Sequence, residues 1–403
     1  MSLTPKNKAK GSISALKNLA KALSIDLAEL EKARKMPLDA RYERKEVPKA
    51  GGGHRQVYNP APLIRKIQNR INQRIFKELV EWPDYLFGSL PNETRKNLGH
   101  ETTSKIRRDY IACAEKHCGA KSVFKLDIAN YFESIHRDFV DEIFKNFFNF
   151  SNDVSDYLTE ICCYDDKLIQ GAITSSYLAS LCLWDVEGEV VKKIARKRLT
   201  YTRLVDDITV SSQTKNHDYA HVEAYIKGML LAKDLPLNPK KIKIQRSGIE
   251  PLMVHGLRVD FPSPRLPAKE IAKIRASVHN VTSMARVNNY RTSNSYRKQY
   301  DRCMGRVNKL ARVGHNKHKT LLKKLLKNKP LPSQQDIDKV NRAIKRLKKL
   351  SQVDHSTYRY RRLFGITAYR VTIIKRTHKR EAEEFLNELS TLNKPIEKHK
   401  ISS

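Results

Sequence analysis

The chain has 403 residues, of which 78 are Lys or Arg and 43 are Asp or Glu, giving a formal net charge of +35. This length allows two or three domains with a buried core, and a surplus of this size indicates a polyanionic partner, most simply nucleic acid. The sequence contains no run of roughly 18 apolar residues, so no membrane span is predicted. The basic segment Met1 to Lys10 lacks the apolar run of a signal peptide. Six cysteines without C-x-x-C spacing argue against zinc and favour free thiols in a reducing cytoplasm.

The first 40 residues predict a small helical cap. Apolar residues recur at helical spacing from Leu16 to Leu30, the pattern breaks near Ser24, and Pro37 ends it. This spacing is typical of a packed helical pair and predicts no binding role.

A β-hairpin is predicted between Tyr42 and Pro60, because two short strand patterns flank three consecutive glycines. Lys49 and Arg55 stand on either side of the glycines. Two cations beside such a turn suit a triphosphate, although a glycine turn with basic neighbours is common in proteins that bind none.

Three aspartates predict a catalytic centre. Asp127 ends the apolar segment Val123 to Ile128, and Asp206 with Asp207 lies in a predicted hairpin, Tyr201 to Ser211. An Asp pair alone is typical of an exposed turn, but apolar residues on both sides predict a half-buried hairpin, a poor place for uncompensated carboxylates. Hard divalent cations prefer oxygen ligands, and Mg²⁺ keeps open positions for phosphates. The two strands therefore predict a magnesium-dependent nucleotidyl transferase.

The positive charge is concentrated in the last third of the chain, where residues 281–403 carry 31 Lys and Arg against 9 Asp and Glu. Apolar stripes at helical spacing run from Ile337 to Leu347 and from Ala382 to Leu389. A charge run is usually a solvated face, but this imbalance predicts a helical domain that grips nucleic acid. Interleaved tyrosines, some of which must be core, suit stacking on bases. The cations assigned to this surface are Arg286, Arg291, Lys345, Arg346, Arg359 and Arg361.

Several segments resemble, in the same order, the sequence blocks of reverse transcriptases, and specifically those of the bacterial retron-type and defence-associated group. The segments are Val47 to Gln68 (Val-Pro-Lys, Gly-Gly-x-Arg, Asn-Pro, Ile-Gln), Leu126 to Ile135 (Leu-Asp-Ile-Ala-Asn-Tyr-Phe-Glu-Ser-Ile), Gln170 to Leu181 (Gln-Gly-Ala-Ile-Thr-Ser-Ser-Tyr-Leu-Ala-Ser-Leu), the Asp206-Asp207 hairpin, Leu237 to Lys241 (Leu-Asn-Pro-Lys-Lys) and Val254 to Val259 (Val-His-Gly-Leu-Arg-Val). Each block alone is modest support, whereas the ordered set over roughly residues 42–279 is strong.

The resemblance implies a right-hand polymerase of the α/β (α+β) class. It implies fingers over residues 41–122 with part of 140–175, and a palm over 123–265 with helices on an antiparallel sheet. A long helical thumb with a basic extension is expected over 266–403, and the helical cap precedes the fingers at residues 1–40.

The resemblance also implies RNA-templated DNA synthesis, in which a 3′-hydroxyl attacks the α-phosphate of a dNTP. Two Mg²⁺ ions, with Mn²⁺ as a substitute, are expected on the catalytic residues Asp127, Asp206 and Asp207 and on the Ile128 carbonyl. The residues implied at the dNTP are Lys49, Arg55, Phe132, Gln170, Gly171 and Lys241. The residues near the hairpin that are assigned to nucleic acid are Arg203 and His255.

Two of these assignments have alternatives in the sequence. Phe132 would be the aromatic gate that clashes with a ribose 2′-hydroxyl, but Tyr131, Phe132 and Ile135 also fit a packed core. His255 would be a catalytic acid for pyrophosphate or, more simply, a structural or RNA-contacting residue at the thumb junction.

By the same resemblance, the partners are a dedicated noncoding RNA that serves as template and primer, dNTPs, the DNA product and an effector protein. Enzymes of this group copy an RNA encoded beside them and serve phage defence. This expectation rests on the family alone.

The chain departs from the family at several positions. Leu204 and Val205 replace the aromatic-Ala pair before the aspartates, which suggests a different packing of the primer end. Ile169, Ile173 and Ser176 stand where the family has prolines, which suggests a more flexible loop.

Two retron signatures are also altered. The family's Asn-Ala-x-x-His reads Cys-Ala-Glu-Lys-His at residues 113–117, and its Val-Thr-Gly reads Val-His-Gly at residues 254–256. These changes leave a sister defence-associated lineage open beside the retrons.

Three other functions stay open. A group II intron reverse transcriptase that acts in splicing is the nearest, although no Cys- or His-rich endonuclease module follows the polymerase blocks. A catalytically impaired RNA-binding protein on a polymerase scaffold is kept open by the change at Leu204 and Val205. Untemplated or protein-primed synthesis, started by a tyrosine hydroxyl, is the third.

Overall fold

The chain forms two compact units, Met1–Arg265 and Leu266–Ser403. The computed structural model describes residues 3–48, 52–96, 103–353 and 357–392. The division falls at the residue where the sequence predicts the thumb to begin. Among the described helices, none is long and apolar enough to cross a membrane.

The first unit mixes helices and strands. Its helices are α1 Leu16–Leu23, α2 Leu27–Lys35, α3 Leu38–Arg41, α4 Pro62–Ile71, α5 Tyr110–Glu115, α6 Tyr131–Ser134, α7 Arg137–Glu142, α8 Asn152–Cys162, α9 Ser175–Leu181, α10 Glu187–Arg196 and α11 Ala220–Leu231. Its strands are β1 Lys6–Asn7, β2 Tyr42–Pro48, β3 His54–Pro60, β4 Val80–Glu81, β5 Leu86–Phe87, β6 Glu93–Lys96, β7 Thr103–Ile106, β8 Ser122–Asp127, β9 Cys163–Tyr164, β10 Lys167–Leu168, β11 Thr200–Leu204, β12 Asp207–Ser212, β13 Lys243–Arg246, β14 Met253–Val254 and β15 Leu257–Arg258. Two π-helical turns, Asn72–Phe76 and Ile143–Phe147, follow α4 and α7, and a 3₁₀ turn covers Pro239–Lys241.

A five-stranded sheet in the order β13-β8-β12-β11-β5 organises this unit. Neighbouring strands are antiparallel except β11 and β5, which run parallel. Asp127 of β8 lies opposite Asp207 of β12, and Leu204 of β11 lies opposite the same residue. The second pairing leaves Val205 and Asp206 as a two-residue turn, so the tight hairpin predicted from the sequence is present.

The N-terminal helices belong to the core of this unit. Leu19, Leu23 and Leu30 are fully buried in one hydrophobic cluster with Phe124 of the central sheet. Ser24 takes a left-handed conformation between α1 and α2, at the break that the sequence predicts. The cap predicted at residues 1–40 therefore shares its core with the rest of the unit.

The hairpin predicted between Tyr42 and Pro60 is also present. Strands β2 and β3 pair from Tyr42 opposite Pro60 to Pro48 opposite His54. Arg55 is exposed on β3, whereas Lys49 lies outside the described residues.

The second unit is helical. Its helices are α12 Ala268–Met284, α13 Asn294–Arg312, α14 His318–Lys327, α15 Gln334–Val353, α16 Tyr358–Ile374 and α17 Lys379–Leu392, with a 3₁₀ turn at Tyr290–Thr292. The predicted stripe residues Ile337, Val340, Ile344 and Leu347 are buried with Phe385 in one cluster. The periodicity therefore identified the packed face of α15, and on α17 it identified Ala382, Phe385 and Leu389, whereas Leu386 of the same stripe is exposed.

The interleaved tyrosines divide between core and surface. Tyr296, Tyr300 and Tyr360 are buried, and Tyr290 is half-buried. The side chain of Tyr358 lies outside the described part of the chain. Because the three buried rings pack inside the unit, they are not available to stack on bases.

Candidate active site

The three predicted aspartates lie together at one end of the central sheet. Asp127 is the last residue of β8, Asp207 begins β12 directly opposite, and Asp206 occupies the turn. The Ile128 N–H donates to the Asp206 carbonyl at 3.1 Å, and the Asn238 N–H donates to the Asp127 carbonyl at 2.9 Å. Backbone hydrogen bonds therefore fix the chain around all three carboxylates.

The carboxylates differ in exposure and in charge balance. The Asp127 side chain is 8% exposed and the Asp207 side chain is 50% exposed. Burial raises the pKa of Asp206, and the charges of Asp207 and Asp127 raise it further. Burial also raises the pKa of Asp207, but His255 and nearby lysines more than offset this, so the net shift is downward. The end of the sheet thus holds negative charge that its neighbours compensate only in part.

Lys241 brings a cation to this charge. Its Nζ donates to Asp127 Oδ2 at 2.7 Å, and this hydrogen bond, together with the charges of all three aspartates, raises the pKa of Lys241 against the opposing effect of burial. The Lys241 side chain is 59% exposed. Its ammonium group is therefore anchored on one side and open to solvent on the other.

The residues present fit a divalent cation in their chemistry. Carboxylate oxygens are the ligands that Mg²⁺ prefers, and the pKa of Asp206 is raised first by burial and then by the charges of Asp207 and Asp127. Within the described residues, no group of three or more His, Cys, Asp or Glu is arranged to hold a metal ion. The aspartates thus supply oxygen ligands near one another without forming a closed three-carboxylate cluster.

The turn itself holds an unusual residue. Val205 has φ +60°, which is rare for a β-branched side chain. A Cβ on Gly88 would lie 2.9 Å from Val205 Cγ2, so the glycine after β5 leaves the space that the valine fills. Leu204 packs on a small cluster that includes Phe87 and Cys113. Gly88 therefore leaves room for Val205, and the cluster of Phe87 and Cys113 packs against Leu204. Leu204 and Val205 are the two residues that replace the family's aromatic-Ala pair.

The residues predicted at the dNTP are only partly brought together. Phe132 in α6 is half-buried and packs against the core, with its ring centroid 6.2 Å from that of Tyr131. Gln170 and Gly171 lie in the loop before α9, where the Tyr58 N–H donates to the Gln170 carbonyl at 2.8 Å. This bond places the loop against the hairpin that carries Arg55.

Gly171 is required by this close approach. It has φ +110°, and a Cβ there would lie 2.4 Å from the Tyr58 carbonyl oxygen. The sequence predicts that Gly171 allows close approach to a nucleotide, whereas the approach observed is to β3. The glycine therefore shapes the loop through its contact with the hairpin.

The loop is also held by two residues that the sequence reasoning missed. Ile173 N–H donates to Gln68 Oε1 at 3.1 Å, and Asn72 Nδ2 donates to the Ile173 carbonyl at 2.9 Å. A proline at this position would lack the N–H that donates to Gln68, so two hydrogen bonds hold the loop where the missing proline suggests flexibility. The available signal was a pair of amides, four residues apart, on the apolar face of one helix.

Arg203 corrects one of the predictions for nucleic acid. Its side chain is fully buried, and Nε and Nη2 donate to the two carboxylate oxygens of Glu187 at 2.6 and 2.7 Å. Further donors go to the carbonyl of Ser180 and to the hydroxyl of Tyr131. The prediction that Arg203 contacts nucleic acid is wrong, because its guanidinium is enclosed in a bidentate ion pair.

His255 corrects a second prediction. Its side chain is 10% exposed, with Nδ1 3.6 Å from Asp207 Oδ2 and Nε2 3.3 Å from Cys113 Sγ. Both ring nitrogens therefore face protein atoms. The ring is a structural neighbour of the aspartates and not the nucleic-acid contact that the sequence predicts.

The cations predicted to bind nucleic acid in the second unit are mostly on its surface. The exposed ones are Arg286, Lys345, Arg346, Arg359 and Arg361. Arg346 and Arg359 line one groove together with Arg362, Leu363 and Ile366. Arg291 is half-buried and donates through Nε and Nη2 to the Lys329 carbonyl, so part of its guanidinium serves the fold.

The chain is similar to known proteins over most of its length. Residues 47–271, more than half of the chain, match the family model of reverse transcriptase (RNA-dependent DNA polymerase). The chain is 46% identical over 395 residues to the retron Ec48 reverse transcriptase of Escherichia coli, covering 97% of this chain and 95% of that protein. It is 33% identical over 265 residues to the retron Se72 reverse transcriptase of Salmonella heidelberg, covering 65% of each.

Among solved structures, telomerase from Candida albicans matches with a TM-score of 0.41 and 12% identity, covering 91% of this chain and 65% of that one. At this TM-score the similarity says nothing about function. The match to retron Ec48 reverse transcriptase, in contrast, extends over nearly the whole of both chains. The altered signatures at residues 113–117 and 254–256 therefore occur within the retron family. The chain belongs to the retron reverse transcriptases and is an RNA-directed DNA polymerase of a retron system.

Proposed function

We propose that this polymerase extends a DNA 3′ end at Asp127, Asp206 and Asp207. The observation that carries the proposal is the pairing of Asp127 opposite Asp207, with Asp206 in the adjoining turn and Lys241 beside them. These carboxylates, with the Ile128 carbonyl, are the groups that would hold two Mg²⁺ ions or Mn²⁺ in their place. Such ions, when bound, activate the attacking hydroxyl and stabilise the leaving phosphates.

Lys241 has a role of its own in this site. Its ammonium balances the Asp127 carboxylate at 2.7 Å, and the N–H groups on its exposed side can donate to a triphosphate oxygen. A lysine cation that contacts both an acidic residue and a phosphate favours the approach of an anionic nucleotide to an acidic site.

The nucleotide lies, in this proposal, between the aspartates and the hairpin of β2 and β3. Phe132 stands five residues after Asp127, where its half-buried ring can exclude a ribose 2′-hydroxyl. Gln170 is presented by the loop that Tyr58 holds, and Arg55 and Lys49 supply cations for the triphosphate. On the right-hand plan, the hairpin belongs to the fingers at residues 41–122, the central sheet belongs mainly to the palm at 123–265, and residues 266–403 are the thumb with its basic extension.

The template and primer that we propose are a structured noncoding RNA, held by the exposed cations of the second unit. Support comes from the charge of residues 281–403, 31 basic against 9 acidic residues, because phosphate contacts dominate nucleic-acid affinity. All six cysteines are free thiols, which suits a reducing cytoplasm. A role in phage defence with an effector protein follows from the retron family alone.

The test is incorporation of labelled dNTP on an RNA template by the wild type and by an Asp206→Ala, Asp207→Ala double variant. The wild type is expected to incorporate label and the double variant to be inactive. Equal signal from both proteins would remove the proposed site.

Sequencing the RNA and DNA that copurify with the protein identifies the template and the start of synthesis. DNA that runs with the protein on a denaturing gel would replace RNA priming with priming by the protein itself.

A further inference from the structure

The ring of His255 links the catalytic hairpin to a buried thiol. His255 and Gly256 form the two-residue turn between β14 and β15, and both have positive φ. The ring is turned inward, with Nδ1 3.6 Å from Asp207 Oδ2 and Nε2 3.3 Å from Cys113 Sγ. Cys113 and His255 are the positions at which the two retron signatures are altered, and they contact each other.

A line of hydrogen-bonding groups continues behind this ring. Cys113 Sγ also lies 3.3 Å from Thr202 Oγ1, and His117 makes 2.7 Å contacts with Thr202 Oγ1 and Ser211 Oγ. Thr202 and Ser211 belong to β11 and β12, the strands that flank the aspartate turn. Burial lowers the pKa of His117 to about 3, so its neutral ring has one donor and one acceptor for these two hydroxyls. The back of the hairpin is thus tied to the side chain that contacts Asp207.

The carboxylate determines which way His255 donates. An ionised aspartate only accepts hydrogen bonds, so we take Nδ1 as the protonated nitrogen; it lies 3.6 Å from Asp207 Oδ2, just beyond hydrogen-bond length. Burial raises the pKa of the Cys113 thiol to about 12, and its single proton is donated either to Thr202 Oγ1, with the sulfur then accepting from Nε2, or to Nε2 itself. Cys113 therefore supports the ring from behind in either case.

We propose that His255 and Cys113 are positioning residues that fix the rotamer of Asp207. The proposal rests on the assignment of Asp207 to the metal site made above. Asp207 is half exposed beside a turn, where a short side chain has several rotamers open to it. A donor on a buried ring selects one of them, and outer partners of this kind raise the metal affinity of the carboxylates they hold.

The test compares two amides at residue 255. His255→Asn places an amide N–H where Nδ1 stands, and His255→Gln places one where Nε2 stands. Binding of Mn²⁺ to the full chain, without template or nucleotide, is measured by electron paramagnetic resonance, with a melting temperature for each variant. We expect His255→Ala and His255→Gln to weaken Mn²⁺ binding by about tenfold, and His255→Asn to stay close to the wild type.

The thiol is tested in the same assay. Cys113→Ala is expected to weaken Mn²⁺ binding on its own and to have no further effect in the His255→Ala background, because it acts through the ring. Matched controls are His221→Ala, at an exposed position of α11, and Cys118→Ala, at a half-buried position after α5. Both are expected to bind Mn²⁺ as the wild type does.

Three outcomes would overturn the proposal. Equal Mn²⁺ affinity in the wild type and His255→Ala, with Asp207→Asn weakened, removes the positioning role and leaves the metal site in place. Equal losses in the Asn and Gln variants remove it too, because a merely structural ring does not distinguish its two nitrogens. If Asp207→Asn binds Mn²⁺ as well as the wild type, the assignment of Asp207 fails and this proposal fails with it.

Discussion

The two faces of the β11–β12 hairpin hold charge in opposite ways. On one face, Arg203 is fully buried and its guanidinium is closed by both carboxylate oxygens of Glu187. At the turn and on the other face, Asp206 has a raised pKa and Asp207 is half exposed. The first arrangement is complete within the protein and the second is not. The contrast shows that two charges in one hairpin differ in whether the protein supplies all of their partners, and the proposed catalytic role falls on the aspartates, whose partners are incomplete.

Asp206→Asn removes one of the incompletely partnered carboxylates and has the largest expected effect. DNA synthesis is expected to fall by about 10⁴-fold, the loss seen when a member of a catalytic unit is removed, while stability should not fall. The folded-state pKa of Asp206 is raised, so the native state binds more protons than the unfolded state above the usual Asp pKa. The free energy of unfolding therefore decreases as pH rises from the usual Asp pKa through the raised pKa of Asp206. At neutral pH the ionised Asp206 destabilises the fold to its full extent.

The measurement is thermal unfolding of the wild type and Asp206→Asn from acid to neutral pH, beside primer extension. The variant should melt at the same temperature as the wild type or higher at neutral pH, and the difference should shrink towards acid pH. A lower melting temperature at neutral pH would show that the Asp206 charge is already compensated.

Arg203→Met removes the buried ion pair with Glu187. It leaves the Glu187 carboxylate buried without its cation, and we expect a loss of about 3–5 kcal/mol in the free energy of unfolding, measured by urea denaturation. The double variant Arg203→Met, Glu187→Leu should recover most of this loss. The matched control is Arg34→Met, whose partner Glu160 and own side chain are partly exposed, with an expected change of about 0–1 kcal/mol. A small effect of Arg203→Met, similar to that of the control, would contradict the comparison.

Local patterns predicted much of the fold and the position of the aspartates. The alternation around Asp206 and the apolar run before Asp127 needed only neighbouring residues, as did the stripe on α15. The errors came from partners far along the chain, which periodicity does not reveal. Arg203 is enclosed by Glu187, 16 residues away, and His255 contacts Cys113 at a separation of 142.

The loop before α9 shows the same limit. Three missing prolines suggested flexibility, but Gln68 bonds to Ile173 across 105 residues of sequence. Replacing a proline with another residue removes a constraint on φ. Only the folded chain shows which hydrogen bond holds the loop instead.

Lys241→Met tests the cation that lies beside the aspartates. Removing the ammonium deletes a charge-assisted bond to Asp127 and a candidate contact to the triphosphate, so we expect the rate of incorporation to fall by about 10–100-fold. Lys243→Met is the control, because Lys243 lies two residues away and pairs with Glu250 instead. Single-nucleotide incorporation kinetics compare the two. Similar losses in both variants would indicate a general effect of charge and no specific role for Lys241.

The same distinction between paired and open charges applies to the second unit, where the smallest effect is expected. Arg346 and Arg359 line one groove, whereas Lys348, nearby on α15, pairs with Glu388. If the groove contacts RNA phosphates, the Arg346→Gln, Arg359→Gln double variant should lower the slope of log affinity against log salt by about 1.4–1.8, since each phosphate contact contributes about 0.7–0.9. Lys348→Gln should leave the slope close to that of the wild type, because its charge is already balanced within the protein. Filter binding of a structured RNA over a range of salt concentrations measures both slopes, and equal slopes in the two variants would place the RNA elsewhere on the unit.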